Sequence, residues 1–433
     1  MPDLLYAYYG DDFTGSTDVL ESLAEGGVEA VLFLVPPTAD LLARFPQARA
    51  IGLAGDARSR SPGWMDENLP TLFGALHALG APLVHYKTCS TFDSSPGTGS
   101  IGHAMEIGAA AFGGLVPILV GAPHLGRYVA FGNLFAAAGD GEVHRIDRHP
   151  TMSRHPVTPM DEADLRRHLA AQTDMKIGLV GLDRLKAGEG EAAFEGVVAS
   201  RAAAILFDGV DRDTLRAAGD IVWRRAGDTV RFAVGSSGVT RAMIEAWRES
   251  GQVGEALTAR IEPADRLLVV SGSCSPVTAG QIEWAVANGY AGVKVDVDAL
   301  LRGDFTEETI VTDALAAMSD GGSAVIYSAT GPLEPGRGAS GAALGTALGR
   351  IAKAIVAQGA VRRILFAGGD TSSHAVAQLG LFALTWAGAT QRGAPLCRAH
   401  GDDPAFDGLE LVLKGGQMGS PDFFEKVRKG DRA

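Results

Sequence analysis

Short apolar runs rich in Val, Ile, Leu and Phe recur along the chain, each closed by a polar or glycine-rich turn. They begin with LLYAYY at Leu4, VEAVLFLV at Val28, PLVHY at Pro82 and PILVG at Pro117. KIGLVG, AAILFDG, VRFAVG, RLLVVSG, GVKVDV, SAVIYS, RILFAGG and LELVLKGG follow. Continuous rather than alternating apolarity over a few positions is what a strand buried on both faces needs. Between many of these runs lie Ala- and Leu-rich stretches of helical character, such as Ser16–Glu25 and Leu344–Gln358. Strands alternating with helices predict βαβ units and largely parallel sheets. The pattern therefore predicts an α/β protein of two three-layer domains, with ligands at the carboxyl ends of the strands. A helix start is predicted in HPVTPMDEADLRRHLAAQT, with Thr158 as N-cap, Pro159 at the first helical position and acids in the first turn. The polar stretch Thr258–Arg266 predicts the boundary, giving domains 1–258 and 259–433.

Composition narrows the classes. The chain has 433 residues, 46% hydrophobic and 21% charged, which is ordinary for a globular protein and long enough for two or three cores. A net charge of −13 repels nucleic acids and anionic membranes, so neither is an expected partner. No stretch of about 20 residues lacks charged or turn residues, so no membrane span is expected. The opening MPDLLYAYYGDD lacks the basic region of a signal peptide, and Cys89, Cys274 and Cys397 share no CxxC spacing. A cytoplasmic protein is expected, with room for a homo-oligomer.

Three polar turns follow strands in the first half. GDDFTGSTD places Asp11 and Asp12 at a strand end before a helix. One acid is expected to accept hydrogen bonds from substrate hydroxyls or to act as base; the alternative is a helix cap beside a solvated acid. GLAGDARSRS places Arg58 where it can hold a carboxylate bidentately. HYKTCSTFDSSPGTGSIG gathers Lys87, Ser90, Thr91, Asp93 and Ser94 in one loop, a density of small donors that suits a hydroxylated anion.

In this order the trio GDDFTGSTD, DARSRS and YKTCSTFDSS…GSIG resembles the four-carbon acid sugar kinase family, which includes kinases for threonate, erythronate and 3-oxo-tetronate. RHPVTPMDEADLRRHLAAQT resembles the family's pattern as well, so the likeness spans nearly the whole chain. It implies an acid-sugar site on Asp12, Arg58, Lys87, Ser90 and Thr91, which Asp11 and Asp93 of the same turns are expected to join. His124 and Arg127, in the loop GAPHLGRYVAFGNLF, join as further contacts. Much of the family has Asp two residues after the Lys; here Cys89 stands there, and KTCSTFDSS is closer to the 3-oxo-tetronate branch.

In the second half no GxxxxGK[ST] occurs, which excludes a P-loop. A GxGxxG at Gly336, Gly338 and Gly341 lacks the acid expected about 20 residues on. Three Gly/Ser turns at strand ends are better phosphate holders: Ser271–Ser273 in VVSGSCS, Gly368–Thr371 in FAGGDTSS, and Gly416–Gly419 in LKGGQMGS. Glycine lets backbone N–H groups approach phosphate oxygens, and helix N-termini add partial positive charge. The resemblance implies ATP at Ser273, Gly368, Gly369, Asp370, Thr371, Gly416, Gln417, Met418 and Gly419; Ser271 of the first turn is expected beside them, and Mg²⁺ is expected to bridge the phosphates because phosphoryl transfer needs the developing charge offset. It implies a kinase, with the active site expected in the interdomain cleft; there the acid's carboxylate is expected on Arg58 and Lys87, and Asp12 by preference, Asp93 or Asp370 otherwise, is expected to take or orient the hydroxyl proton. Competing readings are a kinase for a branched relative such as 3-oxo-isoapionate, an NAD-dependent dehydrogenase, and a non-catalytic acid-sugar sensor.

Overall fold

A computed structural model describes residues 4–139, 141–319, 321–331 and 341–431, with the side chains of Leu301 and Asp370 excepted. The chain divides into two compact units, Met1–Val31 with Pro36–Leu257 and Leu32–Val35 with Thr258–Ala433.

The first unit carries strands β1 (Tyr6–Gly10), β2 (Ala30–Phe33), whose last two residues count with the second unit, β3 (Ala50–Ala54), β4 (Val84–Lys87) and β5 (Val116–Leu119). It continues with β6 (Arg127–Ala130), β7 (Asn133–Ala137), β8 (Val143–Arg145), β9 (Ile177–Val180), β10 (Ala204–Phe207) and β11 (Phe232–Gly235). Its main sheet runs β3-β1-β4-β11-β5-β10-β9, each neighbouring pair parallel, with β2 outside β3. Right-handed crossovers then fix the layers. The path from β1 toward β3 moves one way along the sheet and the path from β3 to β4 moves the other. The helices Phe13–Glu25 and Pro62–His77 therefore lie on opposite faces. Ser237–Glu249 packs with the first helix and Ile101–Phe112 with the second. Because the connections after β1 and β4 leave on opposite faces, a crevice opens between those two strand ends. Register levels it: Gly10 pairs with Ala54 and Lys87, and Lys87 with Gly235.

The second unit carries β12 (Leu268–Ser271), β13 (Ala291–Lys294), β14 (Ala324–Tyr327), β15 (Arg363–Ala367), β16 (Leu381–Gln391), β17 (Ala394–Gly401) and β18 (Glu410–Lys414), in the order β13-β14-β12-β15-β18-β17-β16. Five strands are parallel; β17 runs antiparallel to β16 and β18. Ser271, Ala367 and Lys414 share one level, so the turns after β12, β15 and β18 emerge side by side.

All twelve apolar runs form strands. The antiparallel elements were not foreseen: the ribbon β6-β7-β8, read as a substrate loop, and the hairpin β16-β17. The ribbon's tip is held by buried Asp208, which accepts from the N–H groups of Phe131 (2.5 Å), Gly132 (2.8 Å) and Leu182 (2.8 Å). The expected helix start at Thr158 is corrected. The helix is Leu165–Ala170, capped by Asp164, which accepts from Arg166 N. Thr158 does not cap because its hydroxyl is committed to Asp93. Gly336 and Gly338 lie outside the described residues, and Gly341 opens the helix Gly341–Ala357. Among the described residues no helix is long and apolar enough to cross a membrane.

Candidate functional site

The turn after β1 separates its two acids. Asp12 is extended (φ −144°, ψ 162°) and caps the helix Phe13–Glu25 by accepting from Gly15 N. Its other oxygen accepts from Arg58 Nη1 at 2.9 Å. Arg58 stands in the short 3-10 turn after β3 and turns its second nitrogen to both oxygens of Asp93, at 3.1 and 2.9 Å. Asp93 also accepts from Thr91 Oγ1 at 2.5 Å and Thr158 Oγ1 at 3.1 Å. Cys89 Sγ lies 2.9 Å from Thr91 Oγ1, and Ser90 is half-buried in the same turn. Lys87, 2% exposed at the end of β4, donates to Thr88 O at 2.9 Å and lies 3.6 Å from Asp18 Oδ2. Gly15 makes this approach possible. A Cβ there would sit 2.6 Å from Asp12 Oδ1 and 2.9 Å from Lys87 Nζ.

Asp11 differs from its neighbour. It is 3% exposed, and its Oδ1 has no hydrogen-bond partner among the described residues. Burial, and then the charge of Asp12, pushes its carboxyl well above the ordinary carboxylate range; Arg58 and Lys87 offset only part of this. Asp93 goes the other way. Burial alone would raise it, but Arg58 and the Thr91 hydroxyl outweigh that and hold it down to about 2. The same small cluster thus holds a firmly ionised carboxylate and one that resists ionisation.

The expected acid-sugar residues Asp11, Asp12, Arg58, Lys87, Ser90, Thr91 and Asp93 come together at this crevice. Arg58 and Lys87, expected to hold a ligand carboxylate, already face carboxylates of the chain. His124, in the 3-10 turn Pro123–Leu125, has Nε2 3.4 Å from Ser237 Oγ. Arg127 sits in β6, where Nη1 donates to the carbonyls of Leu125 (2.8 Å), Gly126 and Ala137 (both 3.3 Å). Two members were not foreseen. Thr158 arrives from a distant loop that its local sequence marked as a helix cap. The turn Gly235–Gly238 after β11 resembles the glycine turns that were singled out, and Ser236 there donates to Val120 O at 2.7 Å.

In the second unit the three glycine turns touch. Gly368 has φ +113°, a conformation that side chains avoid, and its N–H donates to Lys414 O at 2.9 Å. A Cβ on Gly272 would lie 2.2 Å from Thr371 Oγ1, and one on Gly416 would lie 2.9 Å from Ser273 Oγ. Ser271 Oγ accepts from Ser273 N at 3.4 Å, and Ser275 caps the helix Pro276–Ala287. Gly369, Asp370 and Thr371 form the first turn of the helix Gly369–Val376 rather than preceding it. Gln281 Nε2 holds the carbonyls of Met418 (2.9 Å) and Ser420 (3.0 Å), which orders the segment Gln417–Gly419. Lys414 and Thr278, beneath this turn, were not foreseen; Lys414 was read as the end of an apolar run. Among the described residues no group of three or more His, Cys, Asp or Glu is placed to hold a metal ion.

The comparisons with known proteins divide the chain in the same sense. Residues 6–243 match a family of sugar-binding N-terminal domains, and residues 268–424 match a family of nucleotide-binding C-terminal domains. A Paraburkholderia graminis protein named 3-oxo-isoapionate kinase is 44% identical, covering 99% of this chain and 94% of its own. A Pseudomonas savastanoi protein named 3-oxo-tetronate kinase is 31% identical, covering 97% and 95%. Among solved structures, a Haemophilus influenzae protein from a family of unknown function superposes with a TM-score of 0.70 at 25% identity, covering 98% and 99%. A Salmonella typhimurium protein described as a tRNA synthase reaches 0.79 at 23% identity over the whole of both chains, which speaks for the fold alone. With a sugar-binding half, a nucleotide-binding half and kinases of small acid sugars as relatives along its whole length, the chain belongs to the four-carbon acid sugar kinase family.

Proposed function

We propose that this protein uses ATP to phosphorylate a hydroxyl of 3-oxo-isoapionate or a closely related acid sugar. The 44% identity to a protein named for that activity favours the branched acid over the straight-chain 3-oxo-tetronate, whose named kinases reach 31%. The observation that carries the chemistry is the Asp11–Asp12–Arg58–Asp93 cluster with one carboxylate oxygen of Asp11 unpartnered. Both oxygens of Asp12 are engaged, so Asp11, rather than the Asp12 expected from sequence, is assigned to accept the hydroxyl proton. A carboxyl raised by burial is a better match for proton transfer near neutral pH than an ordinary one. Arg58, Asp93 and Thr91 hold the substrate-side turn rigid, and Lys87 and Ser90 supply donors to the acid. The glycine turns after β12, β15 and β18 receive the phosphates of ATP through backbone N–H groups. Mg²⁺ fits as an ion carried in by ATP, where it offsets phosphate charge. ATP use, and three cysteines in no disulfide, suit the cytoplasm.

ADP release, coupled to a dye or to NADH oxidation, is to be measured with 3-oxo-isoapionate, 3-oxo-tetronate, threonate and erythronate. The highest kcat/KM is expected with 3-oxo-isoapionate. A preference for 3-oxo-tetronate, which the segment KTCSTFDSS favours, would move the assignment to that branch. ADP release with none of them removes the proposed substrate class.

A further inference from the structure

Lys414 is the last residue of β18 and is fully buried. Its ammonium donates to Thr278 Oγ1 at 2.9 Å, Gly415 O at 3.0 Å and Gly416 O at 3.3 Å. All three acceptors are neutral. The Thr278 hydroxyl passes its own proton to Gly416 O at 2.9 Å, so the network closes on itself without a carboxylate. Lys87, the other buried lysine at a strand end, has Asp18 at 3.6 Å. Around Lys414 the charged groups stand elsewhere. Arg363 of β15 lies at the opposite strand end on Glu410, and Glu283 of the helix Pro276–Ala287 is exposed. On β17, Arg398 is exposed and His400 half-buried, and His374 of the helix Gly369–Val376 is half-buried. Burial pulls the ammonium down to about 7, and no charge among the described residues offsets it.

The contacts also aim the turn. In a trans peptide the C=O and N–H point in opposite directions. With the carbonyls of Gly415 and Gly416 drawn toward Lys414, the N–H groups of Gly416 and Gln417 point away from it. That side is where Gly416 meets Ser273 and Ser275 and where the three turns converge.

We propose that Lys414 is a nucleotide-responsive positioning residue: it takes up a proton from solvent when a polyphosphate occupies the adjoining turns, and in its charged form locks the Gly415–Gly416 peptides toward that polyphosphate. The proposal rests on the nucleotide reading above. Its driving force is the counter-ion that the buried ammonium lacks. A phosphate within a few ångströms raises a lysine by about 1–3 pH units, and the locked carbonyls then hold the donors in place.

The test is calorimetric titration of the full-length protein with ADP at pH 8, in buffers of differing ionisation enthalpy. A phosphate ester with a second pKa of about 6 is already deprotonated there, so uptake reports the protein. A lysine titrating at about 7 is roughly nine-tenths neutral at pH 8, so a rise of about 1–3 pH units on binding is expected to take up about 0.4–0.9 proton per ADP in wild type. Lys414→Arg is expected to bind ADP with no uptake, its charge being permanent. Lys414→Met is expected to bind at least tenfold more weakly, also without uptake. Binding of ADP by wild type with no proton uptake overturns the role of Lys414 while leaving the nucleotide site standing. Uptake that survives in Lys414→Arg does the same. Absence of ADP binding to wild type overturns both.

Discussion

Asp11 and Asp12 are adjacent carboxylates that the fold makes unlike. Asp12 is consumed by a helix cap and by Arg58, and Asp11 is buried with an oxygen unpartnered. Asp11→Asn is expected to lower kcat by about 10²–10⁴-fold, the usual span for a lost acid–base group. The same change should raise stability at neutral pH. A carboxyl whose folded value is raised supports the fold fully only below its unfolded value near 4, and loses that contribution as pH rises. The gain in thermal midpoint should therefore be present at pH 7 and vanish by about pH 4. Asp93 runs oppositely. Held at about 2, it stabilises above the ordinary carboxylate value, and that contribution is lost as pH falls from about 4 to about 2. Asp12→Asn should instead lower stability at pH 7 and keep more turnover than Asp11→Asn. Equal losses of kcat in the two variants would sink the assignment of the base. The sequence already displays all these residues, but not which acid is paired, because pairing depends on Arg58 and Asp93 arriving from other strands.

At the scale of elements, continuous apolar runs made every parallel strand legible, since a strand buried on both faces has no polar side to disguise it. The ribbon β6-β7-β8 and the hairpin β16-β17 escaped because half-buried and polar positions interrupt their apolar pattern. Thr158 shows the limit of local rules. Thr-Pro followed by acids is a sound helix start, yet its hydroxyl serves Asp93, and Asp164 caps the helix instead. The glycine turns were legible as a class, but their need for glycine is tertiary. At Gly368, φ is +113° and a Cβ would stand 3.3 Å from Ser273 N. Gly368→Ala is expected to cost about 1–3 kcal/mol and to weaken ADP binding, while the KM for the acid sugar at saturating ATP stays near wild type. Chemical denaturation and calorimetry read the two effects, and an unchanged ADP affinity would remove the turn after β15 from the nucleotide site.

For the whole molecule, the division of labour has a direct readout in hydrogen exchange. ADP should protect the backbone of residues 271–278, 367–376 and 414–419, and a substrate acid should protect 10–18, 55–60 and 87–94; the reverse pattern would contradict the assignment of the two halves. In the sugar-binding unit, Arg58 and Lys87 face carboxylates of the chain itself, Asp12, Asp93 and Asp18. The amino-acid sequence by itself determined the α/β class, the parallel strands, the turns that carry chemistry and the family. These follow from periodicity, from glycine's permissive backbone and from residues contiguous along the chain. Only the tertiary structure decided which of two adjacent acids is paired, that Thr158 serves Asp93, and that Lys414 is buried among neutral acceptors. Each of these is a balance of burial against a partner distant in sequence, and no local pattern encodes that balance.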